Sequence, residues 1–189
     1  MATNVVGGIE KIEVAPAFQT EAGIATAVWV TLENIAPDTV LYTKNADTES
    51  SIVPEDKDVA FVTFYTPGEP DTLTVGLLEQ KPEVMQLLEN VVYTPATTKV
   101  TLLAKRKIAD LAFKITTRPM KDGRKCVIVI PNTHATTTYA NNLSKTTVQQ
   151  LLITAKLDSF KTTTGSLDAI SIKTWVLADG TAIDSTIIP

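Results

Sequence analysis

Between Pro70 and Lys125 the spacing of apolar residues switches from two to 3.6 and back, and this constrains the fold more than any other feature of the chain. In residues 71–78, Leu73, Val75 and Leu77 alternate with Thr72, Thr74 and Gly76, which places the apolar side chains on one face of a strand. From Pro82 onward, Val84, Leu87, Leu88 and Val91 fall at i, i+3, i+4 and i+7, the stripe of a helix of about three turns over residues 82–91. Pro82 suits the first helical position, where its missing N–H is no loss, and Glu83 lies near the positive end of the helix dipole. Thr94-Pro95 then stops the segment. Strand period returns at residues 99–103 and is clearest at 108–116, where Leu111, Phe113 and Ile115 oppose Asp110, Ala112 and Lys114. Asp122-Gly123 supplies positive-φ residues for a tight turn, and the apolar run 126–130 reads as a strand covered on both faces.

Further strands are expected at residues 9–14, 27–33, 39–43, 59–65, 147–157 and 170–177, with Trp29 packing on the second face of its strand. The first of these alternates only loosely. Residues 44–58 are polar and acidic and read as a long loop or an extended hairpin tip, a candidate contact element. Residues 131–142, which include Thr136-Thr137-Thr138 and Asn141-Asn142, read as a loop or edge segment, and Asp179-Gly180 as the last turn. No repeat, heptad or linker divides the chain, so residues 1–189 are expected to form a single domain. Thirty of the 189 residues are Thr, which with Val and Ile favours pleated sheet over helix. The expected fold class is mainly β, with one helix.

Chemistry-bearing residues are sparse. Cys126 is the only cysteine, so no internal disulfide forms and the fold is expected to suit a cytosol. The first eight residues lack a basic segment leading into an apolar one, and no apolar run approaches the roughly 20 residues of a membrane helix. A soluble chain with no membrane anchor, not exported by the usual signal, is expected. His134 is the only histidine and is not spaced from Cys126 as a metal ligand or a base. Cys126 opens an apolar strand, where a free thiol acts as a small core residue, and His134 is expected to be solvated. Gly7-Gly8 lacks the preceding strand that a phosphate loop requires, and the adjacent Glu55 and Asp56 read as a solvated tip rather than an acid and base. No catalytic, metal or cofactor-binding residue is assigned, and enzymatic activity is not expected.

Charge is distributed unevenly. Residues 1–98 carry fifteen acids and four bases, residues 99–125 two acids and nine bases, and residues 126–189 four of each. The run Lys105-Arg106-Lys107 lacks the interleaved aromatics of a nucleic-acid stacking platform, and the isoelectric point is about 5.0. It can be a nucleic-acid stripe, a solvated strand edge, or one half of a contact between copies of the chain. In the last case Glu55, Asp56 and Asp58 of one copy would meet Lys105, Arg106 and Lys107 of another. Such a heterologous contact closes into rings or grows into filaments.

The order of these elements resembles the major tail tube proteins of tailed bacteriophages. The features that carry the resemblance begin with a strand after a glycine pair at residues 9–16, Trp29, the turn and strand Pro37-Asp38-Thr39-Val40, and the acidic loop. They continue with Pro70-Asp71-Thr72-Leu73-Thr74-Val75 running into the helix, and with the late strands 127–131 and 147–157. The resemblance implies a β-sandwich or barrel-like subunit with one short flanking helix at 82–91, forming hexameric rings that stack into a hollow tube. The genome would pass through that tube without specific binding. The implied partners are further copies of the chain, a tape measure, a tail terminator and baseplate proteins, in a virion tail assembled in the host cytoplasm. Some family members carry an extra C-terminal immunoglobulin-like domain, which is not expected here. The competing readings are a head decoration or fibre-type structural β protein, and a nucleic-acid-binding β module.

Overall fold

The structure is a computed structural model that describes residues 7–121, 123–141, 144, 147–177 and 179. Its strands are β1 (Ile9–Pro16), β2 (Val30–Leu32), β3 (Leu41–Thr43), β4 (Thr48–Ile52), β5 (Val62–Thr66), β6 (Thr72–Leu77) and β7 (Val91–Thr94). They continue as β8 (Lys99–Leu102), β9 (Ala109–Thr117), β10 (Arg124–Ala140), β11 (Gln150–Leu157), β12 (Phe160–Lys161), β13 (Asp168–Ala169) and β14 (Ile172–Leu177). Two helices accompany them, α1 (Ala22–Thr26) and α2 (Pro82–Leu88). The fold is mainly β, and the named strands pair antiparallel.

The main sheet runs β2-β1-β9-β10-β11-β6-β3, and β14 adds to β10. Alternation in the sequence sets which side faces the core: Ile12, Val14, Leu111, Phe113, Ile115, Leu73, Val75, Leu151 and Ile153 are all buried. Each such side chain, fully buried, contributes about 1.5–3 kcal/mol relative to exposure. Beyond β2 the chain turns through Asn34 at φ 51° and runs along the end of β6. There Leu78 N–H donates to Asn34 O at 2.9 Å and Ala36 N–H to Gly76 O at 2.8 Å. Because β2 is the opposite end of the sheet, this contact returns the ladder on itself and makes the architecture barrel-like.

Strand β10 corrects the expectation of a loop or edge segment over residues 131–142, since its residues 133–140 pair β11 and 133–135 also pair β9. It continues through Pro131 to Ala140 because one extra residue is accommodated between the pairs Ile130↔Phe113 and Thr133↔Leu111, a bulge at which proline's missing N–H is tolerated. The bulge's backbone groups find other partners: Pro131 O accepts from Phe18 N–H at 2.8 Å, and Asn132 O from Asp158 N–H at 3.0 Å. Bent in this way, β10 pairs β14 along its first half and β11 along its second, on one edge. A second bulge, between Ile9 and Lys11, accounts for the loose alternation at the start of β1.

Two helical details and one strand differ from the sequence reading. Helix α2 ends at Leu88 rather than at residue 91, because Glu89 is already extended and Val91 is recruited into β7 opposite Leu102. Its last carbonyls are capped from outside, since Lys107 Nζ donates to Gln86 O at 3.3 Å and Leu87 O at 3.0 Å. The second helix, α1, was not anticipated; its five residues bury no side chain, so no apolar period marks them. The expected strand 27–33 shortens to β2, and Trp29 lies on the outer face of the sheet beside Phe18 (6.2 Å) and Lys114 (5.6 Å). Gly123 takes φ 78°, as a tight turn before β10 requires; Asp122 and Gly180 lie outside the described residues.

Candidate functional site

Two surface features are candidates, a hairpin outside the main sheet and a cleft at its side. The first is the hairpin of β4 and β5, a separate two-stranded sheet whose first strand lies in the stretch 44–58 expected to be a loop or hairpin tip and whose second overlaps the strand expected at 59–65. The pairs Ser50↔Phe64 and Ile52↔Val62 share one face, which makes that face largely apolar, while Glu49↔Tyr65 and Ser51↔Thr63 share the other. Beyond the last pair, the tip carries Val53, Glu55, Asp56, Asp58, Val59 and Phe61. Phe61, on the tip, is 78% exposed and Tyr65, in β5, 69%, although large aromatic side chains are highly buried on average. The base of the hairpin is held firmly: Asn45 N–H donates to Asp71 Oδ1 at 2.9 Å, Asn45 Nδ2 to Pro70 O at 2.9 Å, and Gly68 N–H to Asp47 Oδ1 at 3.1 Å. Tyr42 adds a 2.9 Å hydrogen bond to Asp71 Oδ2, and its hydroxyl is pushed up to about 12 by burial and by that carboxylate.

The second feature is a cleft of about 650 Å³ between the end of α2, the segment from β8 to β9, and the last residues of β10. Leu102, Leu103 and Ile108 line it with apolar surface, and Lys105 and Arg106 with charge. Its walls are tied together by hydrogen bonds. Leu103 N–H donates to Asn90 O at 2.9 Å, and Asn90 Nδ2 to Lys105 O at 3.0 Å. Glu89 accepts from Thr137 Oγ1 at 2.9 Å and from the Tyr139 hydroxyl at 3.1 Å. Burial and the adjacent Glu89 push the Tyr139 hydroxyl up to about 12, so it acts as a donor throughout the physiological range.

The six residues singled out from the sequence therefore fall on these two features. Glu55, Asp56 and Asp58 sit exposed at the hairpin tip and make no salt bridge among the described residues. Lys105 and Arg106 are exposed at the cleft with no side-chain partner among the described residues, whereas Lys107 is engaged as the cap of α2. The aromatic residues of the hairpin were read from the sequence as an ordinary strand. Their exposure depends on β5 pairing only with β4, which no local pattern encodes.

His134 is exposed, as expected, but it belongs to a strand rather than to a loop. It lies in β10 opposite Asp110, with Nδ1 2.6 Å from Asp110 Oδ1 and Nε2 3.4 Å from Asp158 Oδ2. Cys126 is buried as expected, its N–H donating to Thr117 Oγ1 at 2.9 Å, and burial pushes its thiol above the ordinary range. Among the described residues no group of three or more His, Cys, Asp or Glu is arranged to hold a metal ion, and no helix is long and apolar enough to cross a membrane. No protein-family model matches the chain, and no curated protein matches it in sequence.

Proposed function

We propose that this chain is a structural subunit that assembles with copies of itself, as a major tail tube protein whose stacked hexameric rings form the conduit for a phage genome. The observation that carries the assembly reading is the β4–β5 hairpin. A two-stranded hairpin on its own is at best marginally stable in water, and this one leaves Ile52, Phe61, Phe64 and Tyr65 exposed, surface that association would cover. The tail tube assignment draws on the sequence resemblance, and the barrel-like β fold with α2 after β6 is compatible with it. Net charge of −4 is compatible too, because a strongly positive lumen would bind the phosphate backbone and retard DNA. In this reading the tape measure, terminator and baseplate proteins are the other partners, and DNA passes without specific contact.

Negative-stain electron microscopy of the purified protein tests the reading. Tubes or stacked rings are the expected result. Isolated trimers would point instead to a head decoration or fibre protein, and monomers that retard a DNA fragment to a nucleic-acid-binding module. Removing residues 48–66 should leave a folded barrel that no longer assembles.

A further inference from the structure

The hairpin tip and the basic cleft are complementary in two independent respects. Three carboxylates at the tip (Glu55, Asp56, Asp58) lie beside exposed Val59 and Phe61. At the cleft, two cations (Lys105, Arg106) lie beside exposed Leu102, Leu103 and Ile108. Within one chain neither charge set finds a partner among the described residues.

We infer that the cleft is the socket for the hairpin tip of a second copy of this chain, with ion pairs surrounding an apolar contact. The inference rests on the assembly reading above and supplies its receptor. Exposed ion pairs are individually weak, so the apolar residues provide most of the affinity, while the charges set register and association rate. Tip and socket are different surfaces of the same chain, so the joint is heterologous: every docked pair leaves an unused socket at one end and an unused tip at the other. A series of such joints closes into a ring or continues from ring to ring. A joint built from one self-complementary patch would instead stop at a dimer.

The cap formed by Lys107 determines how the test is built. Reversing all three charges of the basic run would disturb α2 together with the socket, so only Lys105 and Arg106 are changed. One variant carries Lys105→Glu and Arg106→Glu, which reverses the socket and keeps the tip. The other carries Glu55→Lys and Asp56→Lys, which reverses the tip and keeps the socket. Both pairs are exposed, and both variants should keep the wild-type far-UV circular dichroism and melting temperature. By sedimentation velocity at low salt, each alone is expected to associate at least about tenfold more weakly than wild type. An equimolar mixture should recover assembly, because each tip then meets a socket of opposite charge. If wild type assembles and both variants assemble equally well alone, the cleft is not the socket and the assembly reading is untouched. Variants that fail alone and also fail when mixed overturn the socket as well. A wild type that stays monomeric at all concentrations overturns the assembly reading and the socket together.

Discussion

The side-chain amide of Gln150 lies over Gly76, filling the space in which a β-carbon on that residue would stand. Thr39 Oγ1 closes the same space and accepts the Gly76 N–H at 3.1 Å, while Gly76 O receives the Ala36 N–H that helps to close the barrel. Gly76→Ala should therefore cost about 1–3 kcal/mol in urea unfolding. Among the described residues the buried Gln150 Nε2 has no hydrogen-bond partner, while Oε1 accepts only a long 3.3 Å hydrogen bond from Asn141 Nδ2, so Gln150→Ala should cost about 1 kcal/mol or less on its own. In the double variant the alanine at 76 gains room, and the combined loss should be smaller than the sum of the two.

Lys107 and its two neighbours in sequence should separate in a stability measurement. Lys107→Met removes the cap from the α2 carbonyls and should destabilise the monomer by about 0.5–1 kcal/mol. Lys105→Met and Arg106→Met, on exposed side chains without partners among the described residues, should stay within about 0.5 kcal/mol of wild type. Equal losses at all three positions would remove the distinction between cap and socket.

His134 should titrate above its ordinary value near 6.5, because its hydrogen bond to Asp110 favours the imidazolium more than burial disfavours it, and Asp158 adds in the same direction. The folded state thus holds the proton more tightly than the unfolded chain. Its stabilising contribution is complete below about pH 6.5 and is lost as pH rises through the raised folded value. Asp110→Asn should lower the midpoint, and His134→Gln should flatten the stability profile in that window. The imidazole resonance of the sole histidine reads the midpoint without assignment.

Glu13 should behave with the opposite sign. Burial pushes its carboxyl up, but hydrogen bonds from Lys11 at 2.6 Å and the charge of Lys114 at 3.2 Å prevail and hold it below the usual carboxylate range. The stabilisation is present above the unfolded value and disappears as pH falls through the folded one. Glu13→Gln should cost about 1–3 kcal/mol at neutral pH by leaving two cations without their shared partner, and the difference from wild type should shrink below about pH 4.

Strands whose two faces differ were legible in the sequence. Leu111, Phe113 and Ile115 in β9 and Leu73, Val75 and Leu77 in β6 alternate cleanly because one side meets the core. Helix α2 was legible from Val84 and Leu88, but its end was not, since Val91 continues the helical spacing and is claimed by a tertiary partner in β8. Pro131 was misread because a proline ends most strands, and only the register against β9 reveals a bulge. At the candidate site the charges were visible in the sequence. The apolar residues beside them were not, because exposure is decided by which strands lack a third neighbour.

The chain separations of the two surfaces also fix an order of events. The hairpin joins β4 to β5 through the local connection 53–61, and hairpins are elements that form in microseconds. The socket does not exist until residues near 90, 105 and 138 have converged, and the barrel around it depends on distant pairings such as Ile12 with Ile115 and Ile35 with Leu77. The tip can therefore form from local contacts alone, transiently until its base is tied to Asp71 and Pro70, whereas the cleft needs the distant pairings first. On the proposed joint, polymerisation would be gated by the slow step of folding: an incomplete subunit could offer its tip to a finished assembly but could not extend it.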